Sequence, residues 1–266
     1  DGTLWSMGGN STGGLGQNDL VSRSSPTQIP GTWATGRNQI AAGGALAAIN
    51  TDGELFTWGD SAQGKLGLNQ YGSYYSTPSR VNSRSSPTEI HGGGTTWRSV
   101  FGGYGSFAAT KTDGTLWMWG TNTHGNLAQN STSVTGYSSP IQVGSDTTWG
   151  ILNASVSRYG VAAIKTDGTL WQWGQNTNGG MGINAPGNFS SPKQVPGTTW
   201  KEIGIGDDGS RIAVKTDGTA WAWGDNSQGQ SGVNNETEYS SPIQIPGTSW
   251  LSVSARRLAS MAIKQI

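Results

Sequence analysis

The 266-residue chain contains no cysteine, so it has no disulfide and no thiolate chemistry, and its redox compartment is left open. Charge is scarce as well. Only 12% of the residues are Asp, Glu, Lys or Arg, about half the usual share. Sixteen of each sign cancel, so no global field draws the chain to nucleic acid or to an anionic membrane. No apolar run approaches the roughly 18 residues that a spanning helix needs, which excludes insertion by that route. Histidine is limited to His91 and His124, in different parts of the chain, and a zinc site would need three or four converging ligands. The first residue is Asp rather than Met, which reads as a processed, excised or incompletely identified piece in which any targeting segment is not visible.

What the sequence has in plenty is glycine, 43 residues or about twice the usual share, and tryptophan, 13 residues. Each Trp can bury a large apolar area, which argues for an ordered fold and against a disordered, glycine-rich one. These residues recur in phase. An Asp-Gly pair stands at Asp1, Asp52, Asp113, Asp167 and Asp217, marking five units of about fifty residues. After each pair comes an aromatic stretch such as Leu116-Trp117-Met118-Trp119-Gly120, then a Gly/Asn-rich loop. Next come a Ser-Ser-Pro that opens a short run ending in Ile or Val, a lone Trp, and a small apolar run such as Val161-Ala162-Ala163-Ile164-Lys165.

Each unit therefore holds four short strands, A to D, beginning at the lone Trp. The Thr-Asp-Gly between B and C suits a two-residue type I′ hairpin, and its Asp is then a turn residue. Strand C is apolar on both faces, with Trp117 and Trp119 on one side and Leu116 and Met118 on the other. A sheet apolar on both faces has to be covered on both. Four-stranded sheets stacked around an axis satisfy this, and no stretch keeps a helical period. The expected fold is all-β: a single five-bladed β-propeller domain over 1–266, made of four-stranded antiparallel blades. Leu251–Lys264 supplies strands A and B of a blade whose C and D strands lie in Leu4–Ile29, so pairing of the terminal strands is expected to close the ring. Trp117, Trp171 and Trp221 are expected to be largely buried between blades.

The unit resembles the regulator of chromosome condensation repeat. The resemblance rests on its Trp-x-Trp-Gly strand, Gly-rich loop, Ser-Ser-Pro-x-Gln-Ile and Pro-Gly-Thr-Thr-Trp, and it covers essentially the whole chain. It implies a β-propeller. The best-known members have seven blades, so five longer units are a departure. The family includes a nucleotide-exchange factor for a small GTPase, a secreted β-lactamase inhibitor and many uncharacterised bacterial and phage proteins. The Ser-Ser-Pro and Gly-Thr-Thr-Trp wording is most similar to repeats of marine bacteria and their viruses.

Catalytic and metal signals are weak throughout, and no enzyme, cofactor or metal is expected. Asp207-Asp208-Gly209-Ser210 lacks the alternating ligands of a calcium loop. Gly102-Gly103-Tyr104-Gly105 opens no helix that could cradle a phosphate. The Trp residues recur at in-sheet positions, which suits a core better than a sugar platform.

The units do differ from one another. B–C turns and D–A joins are nearly uniform, the former repeating a Lys-Thr-Asp close to neutral in each blade. A–B and C–D loops vary, and hairpin geometry brings both to one end of a blade. These loops carry Tyr71, Tyr74, Tyr75, Arg80, Arg84, Tyr104, Arg158, Tyr159, Arg211, Arg256 and Arg257. Tyr and Arg are enriched in interface hot spots, so this end is expected to contact a protein partner. Three functions fit. One is a structural or adhesive module of a virion or cell surface, its expected location. Another is a soluble protein-binding propeller, such as an enzyme inhibitor or exchange factor. The third is a lectin, which would need one carbohydrate-binding set repeated in every blade.

Overall fold

The computed structural model describes residues 2–36, 38–70, 82–90, 94–132, 136–157, 160–207 and 209–265. Its contacts divide the chain into two compact units, residues 1–122 with 134–147, and 123–133 with 148–266.

The first unit begins with a two-stranded sheet of β1 (Leu4–Gly8) and β2 (Arg23–Ile29). A four-stranded meander follows: β3 (Ile40–Ala42), β4 (Ala45–Ile49), β5 (Leu55–Gly59) and β6 (Arg84–Glu89). A second meander is built from β7 (Trp97–Gly102), β8 (Ser106–Lys111), β9 (Leu116–Thr121) and β10 (Gly136–Gln142). The second unit holds β11 (Trp149–Val156), β12 (Gly160–Lys165), β13 (Leu170–Gly174) and β14 (Phe189–Gln194) as one meander. The next is β15 (Trp200–Ile205), β16 (Arg211–Lys215), β17 (Ala220–Gly224) and β18 (Tyr239–Gln244). The chain finishes with a two-stranded sheet of β19 (Trp250–Arg256) and β20 (Ala259–Lys264). All pairings are antiparallel, and among the described residues a single 3₁₀ turn at Thr177–Gly179 is the helical content. The strand assignment thus follows the repeat. The strands expected to share one blade form the two short terminal sheets, β1–β2 and β19–β20.

Two details correct the sequence reading. The B–C connection is not a two-residue type I′ turn. Gly114 N–H donates to the Lys111 carbonyl at 3.0 Å, Lys111 N–H donates to the Thr115 carbonyl at 3.0 Å, and only the glycine, at φ +81°, is left-handed. This is a three-residue loop, a type I turn closed by a glycine bulge. Asp113 keeps an ordinary φ because its job is different. Its Oδ1 accepts from the N–H and the hydroxyl of Thr115, at 2.9 and 2.7 Å. Asp167 and Asp217 bind Thr169 and Thr219 in the same way.

The second correction concerns tryptophan. Trp117, Trp171 and Trp221 are half-buried, whereas the second Trp of the strand is fully buried at Trp119, Trp173 and Trp223. Trp119 packs against Ala45, Ile49 and Leu55 of the neighbouring sheet and stacks on Phe107 at 5.6 Å. Its indole N–H donates to the Lys65 carbonyl at 2.8 Å. Trp58, Trp173 and Trp223 repeat that bond to the carbonyls of Gly14, Asn126 and Gly180. Both faces of strand C are covered, as its composition requires, with Leu116 and Met118 buried on the other side.

The less buried Trp serves a different packing motif. Lys111 Nζ lies 4.7 Å from the Trp97 ring centre and 4.4 Å from that of Trp117. Lys165 sits between Trp149 and Trp171 at 4.9 and 4.2 Å, and Lys215 between Trp200 and Trp221 at 4.6 Å from each. The lysine stem covers apolar surface while the ammonium faces two π clouds. The terminal sheets carry parts of the same motif. Lys264 lies over Trp250 at 5.5 Å, and Trp5, bonded to Thr3 as Trp117 is to Thr115, is 50% exposed.

Candidate functional site

Within a meander the A–B turn and the C–D loop leave the sheet at the same end, and the expected contact residues lie on these connections. The first part of each C–D loop is tightly built. Buried Asn10 and Asn226 and half-buried Asn176 accept, through Oδ1, the N–H groups of Leu15, Ser231 and Met181, which closes the loop on itself. The loop then docks on the Ser-Ser-Pro strand of the next repeat. Asn69 N–H donates to the Ser138 carbonyl at 2.7 Å, and Asn130 N–H to the Ser190 carbonyl at 2.8 Å. Glycine is needed at this approach. At Gly125, φ +80°, a Cβ would stand 2.6 Å from the Ser190 Cα. The Ser-Ser-Pro motif is therefore the landing strip of the preceding Gly-rich loop.

Tyr104, at the β7–β8 turn, is 50% exposed, and Lys65 Nζ stands 5.9 Å from its ring centre. Lys65 is itself buried and paired with Asp60 at 2.6 Å. Sequence reasoning missed this ion pair because the two residues sit in a loop read as variable. Arg84 is held by its own loop, donating to the Gln70 side chain at 2.7 Å and the Asn82 carbonyl at 2.9 Å. Arg256 and Arg257, at the β19–β20 turn, are exposed. Arg211 is not offered to solvent. It is 4% exposed and donates to Gln172 Oε1 and to the carbonyls of Gly206 and Ser210. Tyr71, Tyr74, Tyr75, Arg80, Arg158 and Tyr159 lie outside the described residues, as does His91. The structure thus brings Tyr104 to the loop end beside a buried lysine, leaves Arg256 and Arg257 exposed at another turn, and assigns Arg211 to the scaffold.

Chemically this end is quiet. Among the described residues no three His, Asp or Glu side chains gather into a metal site, and no helix is long and apolar enough to cross a membrane. The hollow beside Arg211 and Asp207 holds about 10 Å³, room for a water at most. Burial lowers the His124 pKa, which favours the neutral imidazole.

The sequence profile of the "Regulator of chromosome condensation (RCC1) repeat" matches residues 1–49, 52–106 and 217–262, more than half of the chain. The chain belongs to the RCC1 repeat family. Among curated relatives, the RCC1 domain-containing protein RUG3, mitochondrial, of Arabidopsis thaliana is 29% identical over 207 residues, 75% of this chain and 43% of RUG3. The Ultraviolet-B receptor UVR8 of the same plant is 26% identical over 198 residues, 73% of this chain and 42% of UVR8. Among solved structures, Prp20p from Saccharomyces cerevisiae, reported with its binding properties to Gsp1p and histones, superposes with a TM-score of 0.79 at 19% identity. That match covers 98% of this chain and 64% of Prp20p. The chain thus spans under half of the curated relatives and about two thirds of the solved one. The fold is the propeller-type fold of RCC1 repeats. These relatives give no support to the virion, cell-surface or carbohydrate readings, and they agree with a protein-binding propeller.

Proposed function

We propose that the chain is a non-catalytic, protein-binding RCC1 propeller whose five repeats close into one ring through β20 and β1. In this reading the A–B and C–D loop end is the partner surface. The observation that carries it is the division of labour along each repeat. Turns and joins are nearly uniform, the Asn50–Glu54 turn departing most, and serve the scaffold, while the loop-end identities of Tyr74, Tyr75, Tyr104, Arg158, Arg256 and Arg257 change from unit to unit. Tyr and Arg supply rigid contact area and bidentate hydrogen bonds at low entropic cost. Alanine at Tyr74, Tyr75 and Arg158 together is expected to leave the melting temperature unchanged and to weaken a purified complex by several kcal/mol, as for hot spots. Hydrogen exchange in the complex is the direct check. Protection confined to the Thr-Asp-Gly turns would place the partner on the other end.

Ring closure is supported by side chains at the terminal sheets that lack the counterparts their relatives in other repeats have. Trp5 and Lys264 are the two pieces of a Trp-Lys-Trp sandwich that Trp250 begins. Met261 and Ile263 are 72% and 62% exposed, while their equivalents Ala108 and Thr110 are buried. Gly229 adopts φ +72° like the docking glycines but faces open space. Closure in the register of β8 and β9 pairs Ile263 with Leu4. Since the chain has no cysteine, a Leu4→Cys/Ile263→Cys variant is expected to form an internal disulfide in the monomer. Cross-linking only between molecules would refute closure.

A further inference from the structure

The β3–β6 repeat departs from its sisters at one spot. Trp33 pairs in register with Asn50 as Trp97 does with Lys111, so Asn50 occupies the lysine position. Phe56 stands where the sisters have Trp117, Trp171 or Trp221. Glu54 replaces their threonine. Glu89, the register partner of Phe56, replaces Gln142, Gln194 and Gln244.

The place that a lysine ammonium fills in the sisters is open here. A cavity of about 420 Å³ is lined by Trp33, Phe56, Asn50, Gly31, Gln17 and Pro87. Trp33 and Phe56 meet edge to face at 5.6 Å. Gly31 is the counterpart of Gly197, against which Lys215 Nζ rests. Asn50 does not fill the space. Its Nδ2 donates to Glu54 Oε2 at 2.6 Å, and its Oδ1 accepts from the N–H groups of Asp52 and Glu54, so the side chain is spent on the turn.

The electrostatics change in the same direction. In the sisters one lysine and one aspartate cancel at the turn. Here Asp52, Glu54 and Glu89 stand without the lysine, and among the described residues none of the three is in an ion pair. The uniform neutrality expected for this end of the blades fails at this one repeat. None of the three carboxylates lines the cavity; Glu54 is bonded to Asn50 and Glu89 pairs in register with Phe56, both lining residues, so the negative charge stands behind two aromatic rings and an empty lysine site, a setting complementary to a primary ammonium.

We propose that this cavity binds a lysine side chain of a partner protein, which takes the place of the missing internal lysine. It lies between the Trp33–Phe56 pair and the β1–β2 loop at Gly16, Gln17 and Asn18, and none of the residues proposed above for the partner surface lines it.

The test uses Nα-acetyl-lysine methylamide as the probe and its uncharged isostere Nα-acetyl-norleucine methylamide as the control, followed by Trp fluorescence and by the Trp33 indole resonance. The lysine probe is expected to bind at least about tenfold tighter than norleucine, the scale of a desolvated cation over aromatic rings. Asn50→Lys, which restores the sister residue, is expected to abolish binding, and Glu54→Gln with Glu89→Gln to weaken it about tenfold. The glutamine pair, on a partly exposed turn and edge strand, serves if Asn50→Lys does not fold. Alanine at Tyr74, Tyr75 and Arg158 leaves probe binding intact, which separates this site from the loop-end surface. Equal binding of both probes, no binding of either, or undiminished lysine binding in folded Asn50→Lys would each overturn the proposal.

Discussion

The indole N–H of Trp119 donates to the carbonyl of Lys65, 54 residues earlier in the chain, at 2.8 Å. That bond joins the third strand of one repeat to the loop of the repeat before it. It explains why the strand keeps a tryptophan at this position and not merely a large apolar residue.

Trp119→Ala is therefore expected to cost ~3–5 kcal/mol, the range for deleting a fully buried Trp. Trp117→Ala should cost clearly less, since Trp117 is half-buried. Denaturant melts of the two variants decide the ranking. Equal losses would mean that burial does not separate the two tryptophans.

Lys215→Met keeps the apolar stem between Trp200 and Trp221 and removes the ammonium that lies 4.6 Å from each ring. A loss of ~0.5–1 kcal/mol is expected from the cation–π attraction at a partly exposed site. A variant at least as stable as the parent would show that the stem, not the charge, is what the two indoles hold.

Hydrogen bonds from the Thr169 hydroxyl and N–H hold the Asp167 pKa below its ordinary value near 3.8, and Asp113 and Asp217 are lowered by their own threonines. A lowered folded-state pKa adds stability that is present above the unfolded value and lost as pH falls through the folded one. The melting temperature is therefore expected to fall in acid below about pH 4. Asp167→Asn keeps an oxygen acceptor for Thr169 and should flatten this acid limb. An unchanged slope in that variant would assign the acid loss to other carboxylates.

Gly125→Ala forces a Cβ to 2.6 Å from the Ser190 Cα at φ +80°. It is expected to cost more than the ~1–2 kcal/mol of the left-handed backbone alone. Gly229→Ala meets nothing within 4 Å at φ +72°. Should the ring close, Gly229 gains the Ser-Ser-Pro strand of the first repeat as its neighbour, and the two variants lose equal stability. A Gly229→Ala loss confined to the backbone term would count against closure.

The strands and their order were legible in the sequence because the aromatic C strand, the Ser-Ser-Pro and the lone Trp recur in phase. The turn was not, because Asp-Gly serves both two- and three-residue hairpins, and only the hydrogen bonds of Lys111 with Gly114 and Thr115 separate them. Period-two alternation places Trp117 and Trp119 on one face but does not say which of them the neighbouring sheet covers. Arg211 reads as a surface arginine until Gln172 and two carbonyls are seen to take its guanidinium. Asn50, Phe56, Glu54 and Glu89 were all visible as departures from the repeat. They come from two strands and the β4–β5 turn, however, and only the register brings them to one place.

The indole-to-carbonyl bonds of Trp58, Trp119, Trp173 and Trp223 all point back along the chain, to Gly14, Lys65, Asn126 and Gly180. Such bonds have a direction in time. As the chain leaves the ribosome amino end first, each new aromatic strand finds its acceptor already made and waits for nothing downstream. Assembly can then proceed like a ratchet, each repeat locking onto its predecessor, and translation sets the sequence of folding steps.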